Sequence, residues 1–151
     1  MFRANAYILL DRVTEELEAA RFAITRTLGA VDRDAAWARL AEQARVHRGE
    51  LDRCRANLEA TFLLRLFAEF EGILRHYWKH GLHRRTEPKV SVLIARVAAA
   101  RGMSAAHRFG ADQVREYRND LIHEHSRKAH LTFVTGRSYI GRFLSWLPLE
   151  W

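Results

Sequence analysis

The amino-acid sequence predicts an all-α fold, a single domain built as an antiparallel bundle of five or six helices. Three observations carry this expectation. Only 8 Gly and 2 Pro interrupt 151 residues, and long stretches are rich in the strong helix formers Ala, Leu, Arg and Glu. Apolar residues recur three or four positions apart rather than alternating. With 48% hydrophobic and 28% charged residues, the composition is that of a folded chain, and the length suits one core over residues 1–151.

Each element follows from its own pattern. Leu10, Val13, Leu17, Ala20, Ile24 and Leu28 mark a first helix from about Tyr7 to Leu28, with Gly29 as its expected stop. Asp34 is placed as the N-cap of a second helix through Trp37, Leu40, Ala41 and Ala44, fraying near His47-Arg48-Gly49. A long central helix is expected from about Leu51 to His80, its stripe formed by Leu51, Cys54, Leu58, Phe62, Leu66, Phe70, Ile73, Leu74 and Tyr77 and its end by Gly81. After a loop, Pro88 stands near the start of a buried fourth helix that Gly102 ends. A fifth begins near Ser104 or Asp112. The run Leu131–Gly136 is β-prone and is expected to connect into a last helix, Arg137–Leu147, which presents Tyr139, Ile140, Phe143, Leu144 and Leu147 to the core and stops at Pro148.

Several function classes drop out. No apolar run approaches the roughly 18 residues of a membrane span, since Arg65 breaks the most apolar stretch. One cysteine, Cys54, allows no internal disulfide, and the opening residues do not resemble a secretory signal, so a cytoplasmic protein with no membrane association is expected. Cys54 on the inner stripe reads as a core thiol. There is no Gly-rich phosphate loop, no serine elbow and no carboxylate cluster for paired metals. Cofactors are not called for.

The net charge is +7. Residues 1–50 carry 8 charges of each sign, and residues 51–151 carry 17 basic and 10 acidic ones. That bias suggests a polyanionic partner, RNA or DNA first. At the end of the central helix Arg75, Lys79, Arg84 and Arg85 gather with His76, His80 and His83. The histidines have metal-like spacing, yet their neighbours are basic and no carboxylate or cysteine joins them, so the segment reads as a phosphate-contacting patch with no metal. His123 and His125 diverge around a helix and are read the same way. The basic set expected to contact RNA is completed by Arg115 and Arg127.

One segment carries chemistry. On a helix turning about 100° per residue, Glu116, Asn119, Asp120, His123 and Arg127 form a polar stripe, while Val114, Tyr117 and Leu121 face inward. Arg118 falls at the edge of the apolar face, where a guanidinium needs a carboxylate, a partner subunit or a phosphate. A carboxylate from Glu69 or Glu71 would make it structural; the same two residues are also candidates to support a functional site from the central helix.

The pattern Arg118-Asn119-Asp120-Leu121-Ile122-His123 resembles the Arg-x4-6-His signature of HEPN domains. The long preceding helix and the aromatic-rich following one strengthen the similarity, which spans about residues 55–147 and leaves the helices of residues 1–50 outside it. The resemblance implies a homodimer whose motifs meet in a basic cleft and cut RNA without metal, as toxin or antiviral-defence endoribonucleases do. It admits a second class, a catalytically silent module binding a nucleotide, RNA or a partner protein such as an antitoxin or nucleotidyltransferase-type protein. The residue chemistry fits cleavage: an imidazole titrating at about 6.5 can exchange protons with a ribose 2′-OH or a leaving 5′-oxygen. Arg118 offers a charged fork to the phosphate, and Asn119, one turn before His123, is placed to orient the imidazole or the nucleotide. Arg118 and His123 lie about 140° apart on an ideal helix, so either the helix breaks near them or two protomers share the work.

Overall fold

The computed structural model describes residues 3–123 and 131–151. Among these, six helices form: α1 Arg3–Arg33, α2 Ala35–Gln43, α3 Arg48–His76, α4 Val90–Ala100, α5 Ala105–Ile122 and α6 Phe133–Leu144, with a π-helical turn, Tyr77–Gly81, extending α3. The helical bundle expected from periodicity is the architecture found. Two caps act as the sequence suggests. Asp34 accepts a hydrogen bond from the Ala36 N–H at 2.8 Å, and Ser104, rather than Asp112, opens α5.

The second half of α3 is the axis of the core. Leu63, Leu66, Phe67, Phe70, Ile73, Leu74 and Tyr77 are buried there, and α1, α4, α5 and α6 all pack on α3. Register is fixed by specific pairs. Helix α1 runs antiparallel to α3, with Arg12–Glu69 (3.6 Å), Arg65–Glu16, Arg21–Glu59 (2.9 Å) and Arg48–Asp32 as rungs. Helix α6 runs parallel to α3: the Phe133 N–H donates to Glu59 Oε2, Gly136 lies against Leu63, and the Phe143 ring meets Phe70 edge-on at 5.4 Å. Helix α5 returns antiparallel to α6, with His107 against Trp146 (ring centroids 4.7 Å apart) and Gly110 against Tyr139. Arg3 closes the bundle by donating from Nη1 to the carbonyls of Ser145 (2.7 Å) and Leu147 (2.9 Å).

Four expectations are corrected. Gly29 does not stop α1, which continues to Arg33; a single helical Gly costs only about 1 kcal/mol, and the chain breaks where Asp34 caps the next helix. The run Leu131–Gly136 is not a connector. Thr132 caps α6 by accepting from the Thr135 N–H, Phe133 is buried, and the helix spans Phe133–Leu144; capping and burial override the β-branched preference. Cys54 is exposed rather than buried, because the first half of α3 extends beyond the core. The segment His47-Arg48-Gly49 does not fray either: His47 is the N-cap of α3, and its N–H donates to Glu50 Oε2 at 2.9 Å.

The α5–α6 contact depends on a missing side chain. A Cβ at Gly110 would sit 2.6 Å from Tyr139 Cγ and 2.8 Å from its Cβ, atoms that cannot swing away without moving α6. Gly110→Ala should therefore destabilise the fold by about 1–3 kcal/mol despite its better helix propensity. Gly72→Ala, on the same protein's α3 with nothing within 4 Å of the added methyl, should stabilise by about 0.5–1 kcal/mol. Urea denaturation of both variants checks the pair; equal effects would mean that close approach at Gly110 is not what holds α5 to α6.

Candidate functional site

The motif lies where α5 ends. Apolar burial of Val114 and Tyr117 orients the last turns of α5, leaving Arg118, Asn119 and Asp120 half-buried and Ile122 and His123 exposed. The helix runs unbroken through Ile122. His123 is its C-cap, with φ −95° and ψ 9°, and its N–H still donates to the Asn119 carbonyl at 3.0 Å. No bend therefore brings Arg118 and His123 to one side, and the separation of about 140° stands.

Asn119 ties the two together. Arg118 Nη1 donates to Asn119 Oδ1 at 3.0 Å, and the Asn119 carbonyl holds the His123 N–H. Neither Glu69 nor Glu71 pairs with Arg118: Glu69 meets Arg12 at 3.6 Å and Glu71 meets Arg75 at 2.6 Å. Among the described residues no carboxylate neutralises Arg118, and its hydrogen bond to a neutral amide leaves its charge in place. Arg115, one turn earlier, differs. It is flanked by Asp112 (3.7 Å) and Glu116 (3.2 Å) and its side chain is only 20% exposed, so its charge is largely spent within α5. Arg127 and His125 lie outside the described residues.

The basic residues at the far end of α3 come together as expected of a patch. Arg75, Lys79, Arg84 and Arg85 line one pocket of about 620 Å³ with His80 and His83. They stand apart from the motif. Helix α6 begins beside Glu59 and α5 returns along it, which sets Arg118 near the level of Glu59 on α3. Arg75 is 16 residues further along α3, about 24 Å at about 1.5 Å per residue. Trp78, beside this patch, is buried, and its indole N–H donates to the Thr86 carbonyl at 2.8 Å. Trp146 is half-buried against His107. The His76 and His80 rings are 4.4 Å apart, but among the described residues no three His, Cys, Asp or Glu side chains gather around a point a metal would need. No helix among them is long and apolar enough to cross a membrane.

Comparisons of the chain with protein-family models, with curated proteins and with solved structures found no match.

One feature of this end had no sequence signal. Trp151 Nε1–H donates to His76 Nδ1 at 3.2 Å, and its ring meets Tyr77 edge-on at 5.4 Å. Burial first, then the like charges of His80 and Lys79, holds the His76 pKa below its ordinary 6.5. A proton on Nδ1 would also remove the acceptor that Trp151 uses. The unfolded chain then binds the proton more readily than the folded one, so His76 contributes stability above pH 6.5 that is lost as pH falls below it. The melting temperature should drop between about pH 7.5 and 5.5, and His76→Gln should flatten part of that drop. An unchanged pH slope in the variant would remove His76 from the account.

Proposed function

We propose that the chain is a HEPN-type endoribonuclease that cleaves RNA without metal, through a homodimer in which the two motifs meet. The observation that carries the reading is Arg118: a half-buried guanidinium at the end of α5, fixed by Asn119 and without a described carboxylate partner, five residues before an exposed imidazole. A buried-edge cation without a counter-ion is costly, and a phosphate would offset that cost.

In this reading His123 of one protomer takes the proton from the 2′-OH as that oxygen attacks phosphorus. The partner's Arg118 stabilises the charge developing on the phosphate, and the departing 5′-oxygen takes its proton from water. The products are a 2′,3′-cyclic phosphate and a 5′-hydroxyl. Because α5 stays straight through the motif, Arg118 and His123 of one chain do not converge, which supports a site shared between two chains. Ile122 at 48% exposure and Val134 at 77%, near where α5 ends and α6 begins, supply apolar surface for such an association. A toxin or defence role, with an antitoxin or nucleotidyltransferase-type partner, suits this chemistry, and the silent-module reading is the alternative that a lack of cleavage would favour.

His123→Ala should lower the cleavage rate by about 10²-fold or more with RNA binding nearly unchanged, and Arg118→Ala should suppress both. EDTA should leave the wild-type rate intact. Cleavage that survives both substitutions, or that chelation abolishes, would refute the mechanism.

A composite site makes a second forecast. If each active site takes groups from both chains, mixing the inactive Arg118→Ala and His123→Ala proteins should restore part of the activity, since some mixed dimers then hold one intact site. Light scattering should show a dimer at micromolar concentration. A fully active monomer would exclude sharing.

A further inference from the structure

The geometry points to a second ligand site: the pocket at the C-terminal end of α3 binds a compact polyphosphate, separately from the RNA-cleaving motif. This inference does not rest on the cleavage reading.

The pocket is built rather than incidental. The π turn carries Lys79 and His80 to the rim, and π turns recur at functional sites. The following loop is pinned at three points, by the Arg84 N–H to the Trp78 carbonyl (3.0 Å), the Trp78 indole to the Thr86 carbonyl (2.8 Å) and Arg75 Nη1 to the Pro88 carbonyl (3.3 Å). His83, within this loop, sits at φ +50°, a conformation that L side chains adopt at a cost. The strained turn brings Arg84 and Arg85 together with Lys79 and His80 around a space of about 620 Å³, a size suited to a small ligand.

Charge identifies the ligand class. Among the described residues Lys79, Arg84 and Arg85 form no ion pair with a carboxylate, and Glu87 is the one acid on the wall. Cations crowded without counter-ions repel one another. Several phosphates close together would relieve that repulsion and meet the guanidinium and ammonium donors with charge-assisted hydrogen bonds.

The surroundings favour a compact ligand over a passing RNA strand. An RNA strand reaching from this pocket to Arg118 would cross about 24 Å of surface. On the bundle surface Arg12, Arg65, Arg108, Arg115 and Arg137 are each paired with a carboxylate, while among the described residues the exposed Arg96, Arg101 and Arg142 are not. A strand track needs unpaired cations at successive phosphates; here three of them, Lys79, Arg84 and Arg85, share one bowl.

Calorimetric titration of the full chain with inorganic triphosphate tests this. One site per chain is expected, weakened at least about tenfold by Arg84→Ala with Arg85→Ala, weakened also by Lys79→Ala, and unchanged by Arg118→Ala. Triphosphate should raise the melting temperature more than sulfate does at equal ionic strength. A parallel titration with adenosine triphosphate distinguishes the sources: equal affinity assigns recognition to the phosphates alone, and tighter binding adds the nucleoside. Absence of binding, full binding by the folded Arg84/Arg85 double variant, or preferential occupation by a single-stranded RNA oligonucleotide would overturn the proposal. Because Arg118→Ala leaves this binding intact and abolishes cleavage, failure of either reading is seen independently of the other.

Discussion

Everything in this fold depends on the burial of one half of one helix. From Leu63 to Tyr77, α3 is covered by α1, α4, α5 and α6, and the register of each neighbour is set by what it meets there. Phe70 receives Phe143, and Leu63 packs closely on Gly136, where an added Cβ would lie 3.1 Å from Leu63 Cδ1. Burying a Phe or Leu side chain contributes about 1.5–3 kcal/mol, whereas the exposed ion pairs along α1 and α3 contribute far less each. The apolar contacts therefore hold the bundle, and the charged rungs report its alignment. Through that alignment the end of α5 lies about 24 Å from the end of α3.

Periodicity of three to four made the helices legible, and capping chemistry made some of their starts legible: Asp34 and Ser104 act as local physics says they should. Where the reading failed, a tertiary term had outweighed a local one. Gly29 is a plausible stop in isolation, but α1 gains by continuing along α3 to Arg33. Phe133, Val134 and Thr135 favour strand locally, yet Phe133 has a core position to fill and Thr132 offers a cap. Cys54 shares the stripe of Leu66 and Phe70 without sharing their burial, because a stripe shows which face turns inward and not how far the core extends along it.

The candidate site was legible as residue types and not as an arrangement. Arg118 at the edge of an apolar face was visible from spacing alone. That its partner is Asn119, and that Glu69 and Glu71 are engaged by Arg12 and Arg75, required the three-dimensional register. Likewise Arg75, Lys79, Arg84 and Arg85 are neighbours in sequence, but their distance from Arg118 appears only once α5 is seen to fold back. Trp78 shows the limit most plainly: an aromatic in a basic run looks like a stacking surface, and here it is the buried floor beneath a loop.

Helix α2 has no buried residue; Trp37 and Leu40 are about half exposed, and it packs on α1. Its unfolding would uncover almost no core, so its opening free energy is a small fraction of the global value. Amide exchange at Ala38 to Gln43 is thus governed by local opening and stays fast under conditions where the amides of Phe67 to Leu74 exchange only through complete unfolding. The molecule divides into a rigid hub and an arm of low local stability, and substitutions in that arm are the ones its stability tolerates best.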